Sequence, residues 1–499
     1  MAFTFSDLFA GIGGFHAALG ALGGECWFTS EIDRSASAVY DYNWLRPQRD
    51  GYQDEKKVVS GDIVPLTDPE VRVPPTDVLA AGFPCQPFSK SGFQRGMDET
   101  RGTLFWNIAR VLEEHQPPVL LLENVRNLAG PNHRNTWATI VRTLRESGYR
   151  VSSAPAVFSP HLIGPELGGR PQVRERVFIM AHKVGMGGND GRDDAPIVVP
   201  KPIYGWNPQD WSLDKHLLQD DDEIKHLERY VLPDSDRTII NVWDDLLDRI
   251  VDRLDGGKLP GFPVWADDFR TLSEAHSKIE EAEAKGKPVP TWKADFWIKN
   301  ARFYEQHRAV IDAWKARHDN LEGLAASRRK LEWQAQDPTS LWDTVMHFRP
   351  SGIRAKRPTY LPALVAITQT SIIGDRKRRI TPREAARLQG LPDWFEFKHA
   401  APDGTVIEQQ DAATYRQLGN GVNVGAAYFV FRKYVLEHRD EIAQHAPHVV
   451  EAVVAASQNP DEMLTAPLET RPLPVAAQGR SGGVMDPLVR EPQDATASA

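Results

Sequence analysis

Short apolar runs, separated by glycine-rich turns and amphipathic stretches, fill the first 183 residues, and this alternation constrains the fold most. The runs 4–9, 26–29, 78–81, 119–123 and 177–181 have strand length and strand chemistry. Between them, 15–22, 104–114 and 136–147 carry apolar residues at helical spacing. Strands that alternate with helices pair in parallel, because a crossover helix carries the chain back to the starting edge. The expected class is therefore α/β, a Rossmann-like doubly wound and mostly parallel sheet. Ligands of such sheets lie beyond the carboxyl ends of the strands.

The texture changes near residue 184. Residues 185–350 are polar, acidic in places (Asp220-Asp221-Asp222-Glu223), and rich in tryptophan, including Trp243, Trp292, Trp314 and Trp333. Large rings of this kind belong in a core. The stretches 278–285 and 301–333 read as charged helices. Alternation returns near 359, with a helix over 382–391 opened by Thr381 as cap and Pro382 in its first turn. Residues 415–436 read as a glycine-interrupted loop running into a long helix. From about 457 the Pro, Ala, Gly and Ser content predicts a disordered tail. The expected plan is a first domain over 1–184, an inserted domain over 185–350, a return to the first over 351–437, and an extension over 438–499.

Composition narrows the function classes. No apolar run is long enough to cross a bilayer, and the N-terminus lacks a secretion signal. The two cysteines, Cys26 and Cys85, make neither a disulfide framework nor a zinc site, which suits a reducing cytoplasm. A formal net charge of −9 argues against bulk attraction for polyanions. Local basic clusters such as Arg354 to Arg357 and Arg376 to Arg379 still leave phosphate contacts open.

Several segments carry chemistry. In Phe83-Pro84-Cys85-Gln86-Pro87-Phe88-Ser89 a thiol follows proline at the tip of an apolar strand, and loop residues after it can present sulfur to a pocket. A buried cysteine acting as a small hydrophobe is the plainer alternative. Phe9-Ala10-Gly11-Ile12-Gly13-Gly14 closes the first strand and opens the first helix, where glycine lets the backbone approach a ligand. Glu31 follows the second strand and can accept from ribose hydroxyls, and Gly61-Asp62-Ile63 sits where a third strand should end. Glu123 closes a wholly apolar strand, where burial would raise its pKa and fit it for proton donation. Arg174 and Arg176 would share one side of the next strand.

Taken together, these blocks resemble the cytosine-C5 DNA methyltransferases dependent on S-adenosyl-L-methionine. The resemblance rests on Phe9 to Gly14, Gly82 to Ser89, Arg101 to Phe105, Glu123-Asn124-Val125, Gln172 to Arg176, Arg379 to Pro392 and Gln417 to Val422, in that order. It implies a class I methyltransferase fold with a target recognition domain in the unmatched middle. It implies Cys85 as nucleophile toward carbon 6, Glu123 on N3 and the exocyclic amine, Arg174 on O2 of the base, and Arg176 in support. The same resemblance places Phe9, Gly11, Ile12, Gly13, Gly14, Glu31, Ile32, Asp62, Ile63, Pro84, Leu104, Asn420 and Val422 around the cofactor. Gln86, Ser89, Ser91 and Arg101 would form a lid over a flipped base. No metal is called for.

The implied partner is double-stranded DNA, with a restriction endonuclease acting on the same site without a stable complex. A monomer in a bacterial cytoplasm is expected. The first motif lies so near residue 1 that no auxiliary domain is expected before it. Two departures stand out: Gly421 replaces a serine common in relatives, and residues 158–169 are longer than the usual connection. The rival readings are a tRNA cytosine methyltransferase, which lacks such a large middle region, and a silent DNA-binding protein, which needs no thiol.

Overall fold

A computed structural model describes residues 2–45, 59–84, 103–151, 156–185, 206–254, 259–336, 339–365, 370–401 and 403–466. The chain opens with β1 (Phe3–Leu8), α1 (Gly14–Ala21), β2 (Gly24–Ser30) and α2 (Arg34–Tyr40). There follow β3 (Val78–Gly82), α3 (Leu104–His115), β4 (Val119–Val125), α4 (Arg134–Glu146), β5 (Tyr149–Val151), β6 (Ala156–Phe158), β7 (Gln172–Val173) and β8 (Arg176–Lys183). One sheet of seven strands runs in the order β2-β1-β3-β4-β8-β5, with β6 also on β8. Neighbours β2, β1, β3 and β4 are parallel, and only β8 runs against the rest.

Strand alternation sends side chains to two separate apolar layers. Phe5, Ala80, Leu121 and Met180 face one layer, with α1 and a long C-terminal helix. Leu8, Leu79, Ala81, Leu122 and Ile179 face the other, with α3 and α4. Helices therefore cover both faces, and β3 and β4 read as continuous apolar runs because neither face meets water. The strand expected to end at Gly61 is reduced to a single bridge between Ser30 and Ser60.

The inserted region holds α5 (Asp234–Ile250), β9 (Val264–Trp265), α6 (Leu272–Ala284), α7 (Thr291–Arg317), β10 (Lys330–Gln334), β11 (Val345–Arg349) and β12 (Gly352–Lys356). Next come β13 (Leu361–Pro362), β14 (Ile372–Ile373) and β15 (Arg378–Arg379). A second sheet runs β15-β14-β11-β12-β10-β9, so it continues beyond residue 350. Its apolar core includes Trp243, Trp314, Trp333, Ile353 and Ile372. The helix expected over 301–333 stops at Arg317, because Asp319, Asn320 and Leu321 all take left-handed conformations. Leu331 and Trp333 then alternate inward on β10, which a helix would not allow.

The return to the first domain contains α8 (Pro382–Gln389), α9 (Asp411–Asn420) and α10 (Val424–Glu437). Thr381 and Glu384 form the capping box that opens α8, and Gly390, at φ 76°, closes it. Arg378 of the second sheet donates to both carboxylate oxygens of Glu384 at 2.9 and 2.8 Å, with both side chains fully buried. Residues 457–464, expected to begin a disordered tail, instead pack on the first domain. There Trp394 Nε1 donates to the Leu464 carbonyl at 2.8 Å, and Tyr428 donates to the Ser457 carbonyl at 2.5 Å. No helix of the described residues is long and apolar enough to cross a membrane.

Candidate active site

The loop after β1 is shaped by contacts that only the fold creates. Phe9 (φ 57°), Gly11 (φ 56°) and Gly13 (φ 93°) all turn through the left-handed region. Trp44 lies under the loop and donates from Nε1 to the Ile12 carbonyl at 2.9 Å. A Cβ on Gly13 would stand 2.1 Å from that same nitrogen, and one on Gly14 would stand 2.4 Å from the Val422 carbonyl. At Gly11, by contrast, a Cβ would meet nothing within 4 Å, so the backbone there faces open space.

Glu31 ties this loop to the next. Its carboxylate accepts from the Gly11 N–H at 2.8 Å and from the Asp33 N–H at 2.7 Å. Each oxygen keeps a lone pair for a further donor. Glu31, Ile32, Ser37, Asp41, Gly61 and Asp62 line a cavity of about 600 Å³ at the carboxyl ends of β1 and β2. Ile32 is 71% exposed in its wall, an unusual place for a large apolar side chain. Of the other residues expected near a cofactor, Ile12 and Ile63 are buried, Pro84 and Asn420 are exposed, and Leu104, which begins α3, packs partly buried on the second apolar layer.

Glu123 stands near the carboxyl end of β4, 8% exposed. Arg176, which begins β8, meets its Oε1 with Nε at 3.0 Å. Burial raises the Glu123 pKa, opposed by the positive charges of Arg176 and Arg174. Its Oε2 lies 3.8 Å from the position of a Cβ on Gly82, at the end of β3. Asn124, part of the Glu123-Asn124-Val125 block but given no role from sequence, donates to the Phe83 carbonyl at 2.8 Å and fixes the backbone leading to Cys85. Cys85 itself, with Gln86, Ser89, Ser91 and Arg101, lies outside the described residues.

Arg174 occupies the break between β7 and β8, so strand alternation does not set its direction. It is fully buried and donates to the carbonyls of Leu364, Gly419 and Gly421 at 3.1, 2.9 and 2.6 Å. Its Nε has no hydrogen-bond partner among the described residues. Burial lowers its pKa to about 9, with Arg176 adding to the effect and Glu123 opposing it. The long segment 158–169 has a place here too. Ser159 Oγ accepts from the Arg174 N–H at 2.8 Å, and a Cβ on Gly425 of α10 would stand 1.8 Å from the Gly168 carbonyl. Gly421 uses only its carbonyl toward Arg174, which a serine could equally supply.

A glycine loop at the head of a doubly wound sheet, beside a buried carboxyl held by arginine, is the arrangement of a ligand-binding α/β domain. The comparisons make this specific. The chain matches the C-5 cytosine-specific DNA methylases over residues 3–435. It is 46% identical to the Type II methyltransferase M.AluI of Cellulosimicrobium cellulans, covering 91% of this chain and 96% of that one. It is 29% identical to M.BanI of Aneurinibacillus aneurinilyticus over 85% of this chain and 94% of the relative. Similarity to M.HhaI of Haemophilus parahaemolyticus reaches 37% over 45% of this chain and 59% of that one. The chain belongs to the C-5 cytosine-specific DNA methylase family, and its activity is DNA cytosine-5 methyl transfer.

Proposed function

We propose that the protein methylates a cytosine swung out of duplex DNA into the space beside Glu123, with Cys85 as transient nucleophile and S-adenosyl-L-methionine as methyl donor. The observation that carries this reading is the buried Glu123 carboxyl, clamped by Arg176 and facing the end of the strand that leads into Cys85. The open backbone at Gly11, the exposed Ile32 and the Asp62 carboxylate fit a nucleoside with a ribose and an amino-bearing base. Phe9, Gly11, Gly13, Glu31, Ile32 and Asp62 would hold it, and when bound it supplies an electrophilic methyl group.

The chain's own residues do the rest. The Cys85 thiolate forms a bond to carbon 6 of the ring and pushes an electron pair toward N3. Glu123, whose pKa burial raises against the opposing charges of Arg176 and Arg174, would share a proton with N3 and stabilise that charge. Carbon 5 becomes enamine-like and would accept the methyl group, the donor's carbon–sulfur bond breaking to leave a neutral thioether. Loss of the carbon 5 proton returns electrons to the ring and breaks the bond to sulfur, freeing the thiolate. The geometry favours Arg176 as the arginine facing the base, since Arg174 commits both terminal nitrogens to carbonyls of loops 364 and 419–421. Arg174 then anchors those loops and has only Nε left for O2 of the base.

The inserted region, expected over 185–350, serves as the target recognition domain, and duplex DNA is its partner. The relatives are named Type II methyltransferases, which supports a companion restriction endonuclease acting on the same site without a stable complex. We expect a monomer. Replacing Cys85 by serine should reduce methyl transfer to duplex DNA by at least about 10³-fold while cofactor affinity stays unchanged. A duplex carrying 5-fluorocytosine at the target should trap the wild-type enzyme in an adduct that survives denaturation. Full activity of the serine variant would end the covalent scheme.

A further inference from the structure

A second cavity, of about 360 Å³, opens at the edge of the inserted domain and is lined by Gln209, Gln334, Gln336, Lys356, Arg357 and Tyr360 among others. Among the described residues its lining contains no acidic residue, in a chain whose formal net charge is −9. Carboxamides and cations therefore share one concave surface.

The sheet register creates that arrangement. In the parallel pair β10 and β12, Gln334 lies directly opposite Lys356 at the carboxyl ends of both strands. Arg357 Nε donates to the Ala335 carbonyl at 3.1 Å, and its Nη2 donates to Gln336 Oε1 at 3.0 Å. That contact engages the carboxamide oxygen of the exposed Gln336, itself at φ 66°. Neither the Gln334 carboxamide nor the Lys356 ammonium has a side-chain hydrogen bond or ion pair among the described residues. Arg354 and Arg349, by contrast, are both paired to Glu332.

Position matters as much as chemistry. Tyr360 leads directly into β13, where Leu361 and Pro362 pair with Gln172 and Val173, just before Arg174. The Tyr360 ring also packs on His161, 5.2 Å between centroids, in the segment that supports Arg174. The cavity thus sits one short strand away from the candidate active site.

We infer that this cavity reads the bases flanking the target cytosine, with Gln334 and Lys356 as the specificity-determining side chains. The inference rests on the proposed reading of the chain as a duplex-DNA cytosine methyltransferase. A glutamine carboxamide matches the N6 and N7 edge of adenine, and an ammonium matches the O6 and N7 edge of guanine, both in the major groove. Gln336, oriented by Arg357, supplies a further amide on the same surface. The residues lie partly beyond 350, so the reading surface crosses the boundary expected from composition.

The test uses the full-length protein, S-adenosyl-L-methionine and a pool of duplexes with randomised bases around cytosine, read by bisulfite sequencing. Wild type should select one sequence. Gln334→Ala and Lys356→Ala should each lose roughly ten- to hundredfold in rate at that sequence and accept other bases at one flanking position. Gln334→Asn and Lys356→Arg, which keep polarity and charge, serve if an alanine variant melts early. Unchanged base preference in variants that still bind cofactor would overturn the inference, whether or not the overall rate falls. A uniform loss would mark these groups as phosphate contacts instead. Wild type that methylates no cytosine in any duplex would sink the functional reading itself, and this inference with it.

Discussion

The two halves of the molecule bury opposite things. Beneath the glycine loop and along β4, the first domain buries charge: Asp7, Glu123 and Arg174. Burial raises the Asp7 pKa well above the usual range, against hydrogen bonding from the His16 backbone and with the Glu31 charge adding to the rise. The inserted domain buries rings. Trp243 and Trp314 meet at 5.4 Å, fully enclosed, with their Nε1 atoms donating to the carbonyls of Arg328 and Val242. Many of its charges sit in surface pairs such as Lys285 with Glu281, and the buried Asp268 is paired with Lys278 and Arg270. An interior that holds ionisable groups with shifted pKa values is organised around chemistry, whereas one of hydrogen-bonded indoles is organised around stability.

This contrast can be broken at several points. The largest effect is expected at Glu123→Gln, which should lower methyl transfer by about 10²- to 10³-fold if the carboxyl stabilises charge on the ring. The same change should alter stability against pH. The unfolded carboxyl ionises in the ordinary range and the folded one only above it, so the folded protein loses stability as pH rises through that window. The variant should lack that falling limb in thermal melts recorded from acid to neutral pH. Identical melting profiles would show that burial does not control this group.

Trp314→Ala should cost about 3–5 kcal/mol of stability through the cavity it leaves, read by denaturant unfolding. Cofactor affinity of the first domain should survive where the variant remains folded. Loss of cofactor binding in a folded variant would mean that the two interiors are not separable. Glu384→Ala should cost a similar ~3–5 kcal/mol, because it leaves Arg378 buried without its carboxylate at the seam between them. At the small end, Lys285→Ala should change stability by less than about 0.5 kcal/mol, since the pair it breaks is exposed.

Much of the first domain was legible in the chain. The runs at 78–81 and 119–123 could be read as strands because both faces are buried, and Glu123 stood out as a lone carboxylate closing an apolar run. Thr381, Pro382 and Glu384 announced the start of α8 through purely local hydrogen bonding. Asn124 had a weaker signal, a polar residue next to that carboxylate, and its partner Phe83 could not be guessed. The inserted domain was harder. Leu331 and Trp333 look compatible with a continuing helix until the inward alternation of β10 against Ile353 and Ala355 is seen.

Sequence alone determined the class of sheet, the glycine loop that closes β1, and the identity of the groups able to do chemistry, because each depends on residues within a few positions of one another. Tertiary structure alone decided that Trp44 underlies that loop, that Arg174 is held by carbonyls at 364, 419 and 421, and that Gln334 stands beside Lys356. Those contacts join parts of the chain far apart in sequence. Local propensity carries no information about them, and only the packing of whole sheets and helices brings them together.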